Sequence, residues 1–266
     1  MPRRKLSLFS IRSPLPKRTA FLLGFVAPAL VLGAWCAVSY GHLVRADFLP
    51  TPTEVVRGTL QLFFQYDLAT AIYVSTRRIV LSFLLASALA LPLGVFMGTF
   101  DPVNRFFEPI MAPLRYMPIS AFIPLLILWF GIYEQEKIAF LFLGVFVYLL
   151  PVVVSSIRLV PEELVQTALT LGASKFQVIR TVLLPAALPE IFDSFRVMNA
   201  IAWTYVILAE AVNPEHGLGY MVELARTHQK ASWSFAGLIV IGGIGLLTDF
   251  LIRALSSVLF RWREAA

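Results

Sequence analysis

Charged residues are rare in the apolar parts of this sequence, so the few that occur there are the first candidates for chemistry. Asp193 and Arg196 are three residues apart, a spacing at which two side chains of one helix can form an ion pair. Glu210 is a carboxylate in the same apolar stretch as these two residues, and Asp249 lies near the end of the last apolar stretch. Such groups could contact a solute or relay protons, or they could pair with basic residues and join helices. The residues alone leave both interpretations open.

The arrangements that catalysis or metal binding would need are not found in the sequence. There is no G-x-x-x-x-G-K-[ST] segment, so the chain does not bind ATP through a phosphate loop. His42, His216, His228 and the single cysteine, Cys36, do not have metal-ligand spacing. No Ser/His/Asp set is apparent either. We therefore predict a chain that is not an enzyme and that has no catalytic residue, metal site or cofactor of its own.

The elements that carry the charged residues are predicted to be membrane-spanning helices. Of the 266 residues, 58% are hydrophobic and 14% are charged, and the mean hydropathy is +0.78. A helix crosses a hydrocarbon layer of about 30 Å with about 20 apolar residues. We predict an all-α, polytopic membrane helix bundle of about six transmembrane helices, at residues 19–41, 76–100, 109–133, 137–157, 187–212 and 231–257.

The distribution of basic residues predicts the orientation of these helices. Basic residues favour the cytoplasmic side, and more of them fall on the side that holds both termini. We expect residues 1–18 to be a cytoplasmic basic tail that contacts anionic membrane lipid, and residues 19–262 to be a single transmembrane domain. Because the other basic residues are scattered at helix ends, nucleic acid is not an expected partner.

The connecting segments also have local signals. In residues 48–65, Thr53 can cap a short amphipathic helix. One face of that helix would carry Val56, Leu60 and Phe63 or Phe64. Residues 101–105 and 131–137 are expected to be tight turns on opposite sides of the membrane.

One connection, residues 158–186, is long and polar and includes most of the stretch QTALTLGASKFQVIRTVLLPAALP. Pro161 suits the first turn of a helix, and Gly172 stands where a glycine would close it. Ser174 and Gln177 have the spacing of a capping box, which would start a second helix. The predicted helix–turn–helix leaves the small residues of its turn uncovered, as a surface that fits a groove on another protein.

This stretch resembles the EAA loop of permease subunits of binding-protein-dependent ABC importers, whose pattern is approximately E-A-A-x3-G-x9-I-x-L-P. Gln166, Thr167, Ala168, Gly172 and the VLLP of residues 182–185 stand at matching positions. The segments RYMPISAFIPLLILWFGI, PAALPEIF and GLGYMV resemble the nitrate, sulfonate and taurine branch of that family. The resemblance covers approximately residues 48–260. Because Gln166 replaces the family glutamate, that position can form a hydrogen bond but not a salt bridge.

The resemblance implies a type I ABC importer-like fold in which residues 158–186 form a cytoplasmic coupling loop. In this family the loop docks on a cytoplasmic ATPase, and two such subunits bind and hydrolyse ATP. A homodimer in the bacterial inner membrane would receive its solute from an external binding protein. The branch implies a small oxyanion such as a sulfonate, taurine, nitrate or bicarbonate. The expected ATPase contacts are Gln166, Thr167, Ala168, Leu169, Leu171, Gly172, Ala173, Ser174 and Lys175.

The resemblance also implies a translocation pathway between two permease copies. Arg115 could line it or anchor the inner end of the third span, and Pro118 is expected to kink that span. The alternative function is a stand-alone proton- or ion-coupled carrier that uses three carboxylates as a relay: Asp193, Glu210 and Asp249. The candidates for the pathway or a gate are Arg115, Met117, Pro118, Trp203 and Glu210.

Overall fold

The structure is a computed structural model that describes residues 15–260, and within that range every regular element is a helix. The expected basic tail therefore lies almost entirely outside the described residues. The helices are α1 (Lys17–Tyr40), α2 (Pro52–Gln65), α3 (Leu68–Thr99), α4 (Asp101–Leu114), α5 (Ile123–Phe130), α6 (Glu134–Arg158), α7 (Glu162–Thr170), α8 (Lys175–Val178), α9 (Leu184–Ala211), α10 (Leu218–Thr227) and α11 (Ala231–Leu259). A 3₁₀ turn (Ile119–Phe122) precedes α5, and a π turn (Ile179–Leu183) joins α8 to α9.

Four of the described helices are long and apolar enough to cross a membrane: α1, α3, α6 and α11. They coincide with four of the expected spans, at residues 19–41, 76–100, 137–157 and 231–257. A fifth crossing is formed if α4 and the segment Ile119–Phe130 are taken together as one broken span. By length and composition the described chain thus has four or five apolar spans, against about six expected.

The span expected at residues 109–133 is sharply bent. Its two helical parts meet at 92°, which is far more than the kink expected at Pro118. Pro118 precedes the 3₁₀ turn in an extended conformation, and Pro124 lies in the first turn of α5. Proline removes a helical N–H and forces the residue before it out of the helical region, so α4 cannot continue into α5.

Residues 101–105 were expected to be a tight turn, and this prediction was wrong. They form the first turn of α4, where Asp101 lies at the positive end of the helix dipole and Pro102 needs no hydrogen-bonded N–H. The turn expected at residues 131–137, on the other side of the bundle, is shorter than expected because α6 begins at Glu134.

The helix expected at residues 187–212 is α9, which has 28 residues and is about 42 Å long. It is not among the apolar spans, because Glu190, Asp193 and Arg196 lie in its first half. It is nevertheless central to the bundle and packs on α6, α10 and α11. Its second half contributes Ala202 and Val206 to the core.

The most extensive helix–helix contact in the described bundle joins α3 to α6. Gly94 and Gly98 lie one turn apart and face Val153 and Ile157. A Cβ atom at either glycine would lie 2.7 Å from the Cβ of its partner, closer than packed atoms can approach. Small residues at this spacing let two membrane helices approach closely, so these glycines fix the separation of α3 and α6.

The amphipathic helix expected in residues 48–65 is α2, but its cap is Thr51 rather than Thr53. Thr51 and Glu54 form a capping box, in which the Thr51 N–H donates to the Glu54 carboxylate at 2.8 Å. Hydrogen bonds from the backbone and hydroxyl of Thr51 lower the pKa of the Glu54 carboxyl. The T-x-x-E spacing was visible in the sequence and could have identified this cap.

One face of α2 packs against the rest of the bundle. Val55, Gly58 and Leu62 are buried, and α2 packs against α11, where the Trp233 indole N–H donates to Gln61 at 3.1 Å. The residues expected to share an apolar face do not take part in this packing and are exposed: Val56, Leu60, Phe63 and Phe64.

Candidate functional site

The long polar connection folds as the predicted helix–turn–helix, with α7 and α8 joined by a turn at residues 171–174, here called the loop tip. Gly172 has φ +85°, a left-handed conformation that glycine adopts without strain. The Gly172 N–H donates to the Leu169 carbonyl at 2.9 Å, and the Ala173 N–H donates to the Ala168 carbonyl at 3.0 Å. These two bonds form a Schellman motif, so Gly172 closes α7 as predicted.

The predicted capping box at the start of α8 is also present. The Gln177 N–H donates to the Ser174 hydroxyl at 3.4 Å, and the Ser174 N–H donates to the Gln177 side-chain oxygen at 2.7 Å. Backbone groups on both sides of the turn are therefore bonded locally. These local hydrogen bonds give the turn a defined shape.

The loop tip is uncovered and has apolar side chains beside it. Nothing lies within 4 Å of the position that a Cβ atom at Gly172 would occupy. Leu171 is 83% exposed and Phe176 is 68% exposed. Apolar side chains grouped on an otherwise polar segment mark a surface for another protein. Of the expected contact residues, Ala168 and Ala173 are half-buried, and the exposed ones are Gln166, Thr167, Leu169, Leu171, Gly172, Ser174 and Lys175.

Gln166, which replaces the family glutamate, is engaged within its own helix. Its amide donates to the Glu162 carboxylate, one turn earlier, at 2.7 Å. The side chain remains exposed, so its carbonyl oxygen can accept a hydrogen bond from a partner.

The loop is joined to the bundle by continuous helix on one side. α8 runs through the π turn directly into α9, and Val178, Ile179 and Leu183 are buried along this path. Pro185 has no N–H to donate to the carbonyl four residues earlier, which accounts for the wider turn before it. Displacement of the loop tip would therefore be passed to α9.

At the opposite end of the bundle, a buried ion-pair cluster joins α3, α6 and α9. It consists of Ser75, Arg78, Glu134 and Glu210, here called the Arg78 cluster. The Arg78 guanidinium donates to Glu210 at 2.8 Å and also pairs with Glu134. The Ser75 hydroxyl donates to Glu210 at 2.7 Å. The side chains of Arg78 and Glu210 are 3% and 0% exposed, so the pair is almost fully shielded from solvent.

The Arg78 cluster also holds the connection between α9 and α10. Glu210 accepts the Gly219 N–H at 2.7 Å, and Ser75 accepts the Leu218 N–H at 2.8 Å. Both donors belong to the first turn of α10, where a carboxylate is favoured by the helix dipole. Glu210, a candidate pathway or gate residue, is fully buried within the chain, where its carboxylate joins α10 to α3.

A second ion-pair group lies between the middle of α9 and the second half of α11. Arg196 donates to both carboxylate oxygens of Asp249, at 2.7 and 3.2 Å, and Arg253 donates to Asp249 at 2.9 Å. The partner expected from helical spacing, Asp193, is an electrostatic neighbour of Arg196, but the bidentate bond goes to another helix. This pair joins α9 to α11.

Of the remaining pathway candidates, Arg115, Met117 and Pro118 lie between α4 and the 3₁₀ turn, whereas Trp203 lies on α9. Arg115 pairs with Glu108 on α4 and lines a cavity. Met117 and Pro118 are exposed at the bend before α5. Trp203, in the second half of α9, is buried, and its indole N–H donates to Thr248 at 3.1 Å. None of the described residues forms a group of three or more His, Cys, Asp or Glu that could hold a metal ion.

The connection after α9 contains α10, a partly buried helix near the Arg78 cluster, with Leu218, Gly219, Met221 and Ala225 buried. Glu223 and Arg226 form an ion pair on its surface, in which the Arg226 Nε donates at 2.8 Å. This hydrogen bond lowers the pKa of the Glu223 carboxyl and raises that of Arg226. α2 and α10 are the described non-spanning helices at this end of the bundle.

Comparison with known proteins agrees with the resemblance seen in the sequence. A family model described as binding-protein-dependent transport system inner membrane component matches residues 90–261. The putative aliphatic sulfonates transport permease protein SsuC of Bacillus subtilis is 34% identical over 96% of this chain and 92% of its own length. The taurine transport system permease protein TauC of Escherichia coli is 31% identical over 94% of this chain and 92% of its own.

The fold agrees with a solved transporter. A chain of the MetNI methionine ABC transporter in inward-facing conformations superimposes with a TM-score of 0.63, at 20% identity, over 74% of this chain and 96% of that chain. The predicted type I ABC importer-like helical fold is thereby confirmed. The chain belongs to the family of binding-protein-dependent transport system inner membrane components, as a multi-pass permease subunit of an ABC transporter.

Proposed function

We propose that this permease imports a small oxyanion that an external binding protein delivers, with ATP hydrolysed on two separate cytoplasmic ATPase subunits. Sulfonates and taurine are the first candidates, because two relatives are named as permeases for aliphatic sulfonates and taurine. Nitrate and bicarbonate belong to the same class of small oxyanions. In this proposal the permease itself is non-catalytic and binds no cofactor.

The observation that carries the proposal is the exposed, locally closed helix–turn–helix of α7 and α8. A Schellman motif and a capping box fix its tip, and unbroken helix connects it to α9. If two ATPases close on ATP, two docked loops would be drawn together, and stiff loops would move the spans. A flexible loop would absorb the same displacement, so the local hydrogen bonds support a coupling function.

The alternative, a stand-alone proton-coupled carrier, finds less support in the ion pairs. Two of its three relay carboxylates, Glu210 and Asp249, are bonded to arginines. A carboxylate paired with arginine holds its charge and exchanges a proton poorly. The third, Asp193, also lies near a guanidinium.

Reconstitution tests the two functions against each other. The permease, its ATPase and its binding protein would be placed in liposomes, and uptake of labelled taurine and ethanesulfonate measured. We expect uptake that requires ATP and the binding protein, and that is unaffected by a proton ionophore. Ionophore-sensitive uptake by the permease alone would contradict the proposal and favour the carrier.

We predict that the working permease is a homodimer. One chain offers one helix–turn–helix, whereas two ATPases need two docking loops. Native mass spectrometry of the purified complex should find two copies of this chain together with two ATPases. A complex with one copy, or with a different permease as the second chain, would contradict this prediction.

We further predict that the binding protein docks on α2 and α10, with both termini of the permease on the cytoplasmic side. These helices lie at the end of the bundle opposite the loop tip. A photo-crosslinker at Glu215 or Arg226, both exposed, should capture the binding protein. The matched control is a crosslinker at Phe176 beside the loop tip, which should capture the ATPase. Capture of the ATPase at Glu215 or Arg226, and of the binding protein at Phe176, would mean that the orientation of the permease in the membrane is inverted.

A further inference from the structure

A cavity of about 440 Å³ lies where α3, α4 and α6 meet, at the loop-tip end of the bundle. Two arginines line it: Arg115, which follows α4, and Arg158, the last residue of α6. The volume is in the range of small-molecule sites, about 300–1,000 Å³. The cavity is large enough for a small organic anion.

The charges on the cavity wall are unbalanced. Arg115 pairs with Glu108, which is the one acidic residue on the described wall. Arg158 forms no ion pair or side-chain hydrogen bond with residues 15–260, so its guanidinium donors are available. The wall therefore carries one net positive charge.

The rest of the wall suits an anion with a small apolar part. Ser155 and Asn104 add polar groups beside the arginines, whereas most other lining side chains are apolar, among them Val147 and Leu150. An apolar wall lowers the local dielectric and strengthens the attraction between a guanidinium and an anion. A guanidinium also matches an oxyanion geometrically, because its parallel N–H groups can donate to two oxygens at once.

We propose that this cavity binds an oxyanion through Arg115 and Arg158, with Glu108 as the intramolecular competitor that the anion displaces from Arg115. The inference deepens the proposed function, since an anionic solute leaving the pathway would reach the loop-tip end. The same chemistry could come from the headgroup of an anionic phospholipid.

The position of Arg158 connects the cavity to the helix–turn–helix. Arg158 also lines a second cavity, of about 430 Å³, together with Glu162 and Lys175 at the starts of α7 and α8. An anion bound to Arg158 would therefore lie beside the root of the loop.

The first test measures solute binding by the permease–ATPase complex in neutral detergent. Ethanesulfonate should raise the thermal unfolding temperature saturably, whereas ethylammonium, a cation of similar size, should not. E108Q removes the competing carboxylate and should tighten ethanesulfonate binding, and this gain cannot arise from misfolding. R115Q and R158Q should each weaken binding about tenfold, the loss expected for one charge-assisted contact. R105Q, which removes an exposed arginine from the same helix α4, is the matched control and should bind normally.

The second test distinguishes the source of the anion. Native mass spectrometry would compare retained phosphatidylglycerol with phosphatidylcholine in the same variants. Ethanesulfonate binding that depends on both arginines supports a solute site, and phosphatidylglycerol retention that depends on them supports a headgroup site. Equal behaviour of wild type, R115Q and R158Q with both probes would overturn the proposal. ATPase co-purification is scored separately, so failure here is distinguishable from failure of the proposed import function.

Discussion

Arg78→Ala is expected to destabilise the folded permease by about 3–5 kcal/mol, the cost of breaking a buried ion pair by removing one partner. Stability is lost because the fully buried Glu210 carboxylate would keep only neutral hydrogen-bond donors, the Ser75 hydroxyl and the Gly219 N–H. The connection to α10 would loosen as well, because Arg78 also donates to the His216 carbonyl at 2.8 Å. Thermal unfolding in detergent and the yield of membrane-inserted protein measure the effect.

The neighbouring Arg77 provides a matched control. It also pairs with Glu134, at 3.3 Å, but its side chain is 46% exposed. Surface ion pairs contribute at most about 1 kcal/mol, so Arg77→Ala should be nearly neutral. Glu210→Gln introduced into Arg78→Ala removes the uncompensated charge and should recover part of the stability. Equal stabilities of the two arginine variants would show that the Arg78 cluster does not hold the helices together.

The loop tip and the Arg78 cluster differ in how far apart their interacting residues lie in the sequence, and this separation decides which contacts could be predicted. The loop tip depends on residues within six positions of Gly172, and its Schellman motif and capping box are set by short-range patterns. Both were predictable for that reason. The α2 cap was equally local, and the error of two residues came from overlooking the Thr51–Glu54 spacing.

The ion pairs could not be predicted in the same way. Arg78 and Glu210 are 132 positions apart, and Arg196 and Asp249 are 53 apart. Helical spacing suggested Asp193 as the partner of Arg196, because a single sequence reports neighbours along a helix and not across helices. An isolated carboxylate in an apolar stretch indicates that a partner exists, but packing of the helices decides which residue it is.

The bend between α4 and α5 shows a similar limit. Pro118 was recognised in the sequence, and a kink was expected from it. A single proline can kink a helix that continues, whereas here Pro113, Pro118 and Pro124 follow within two to three turns and the helix ends. The angle of 92° is set by packing and is not encoded in the proline spacing alone.

Gly172→Val is expected to leave the permease in the membrane but to weaken ATPase binding and to uncouple hydrolysis from uptake. Gly172 has φ +85°, where a β-branched residue costs about 1–2 kcal/mol or more. The cost falls on the loop tip alone, because the surrounding space is open and no core contact is lost. Co-purification of the ATPase, ATP hydrolysis and uptake in liposomes measure the result.

Three variants distinguish the effect of backbone strain at Gly172 from the effect of altering the surface of the loop tip. Gly24→Val places the same side chain in open space on α1 at a helical position and should behave as wild type. Gly172→Asn tolerates the left-handed conformation, so any weakening there reports the added bulk at the tip. Ser174→Ala loses an N-cap worth about 1 kcal/mol without changing the shape of the tip, and should be milder than Gly172→Val.

Gln166→Glu completes the series by restoring the family residue on the exposed face of α7. It should be tolerated, and docking should tighten if the ATPase offers a basic partner. Its carboxylate would lie one turn from Glu162, so the hydrogen bond that now holds Gln166 would become a repulsion and free the side chain for the partner. Wild-type assembly and uptake in Gly172→Val would mean that the helix–turn–helix is only a connection between spans. In that case the proposed coupling function would fail, although the family membership and the fold would stand.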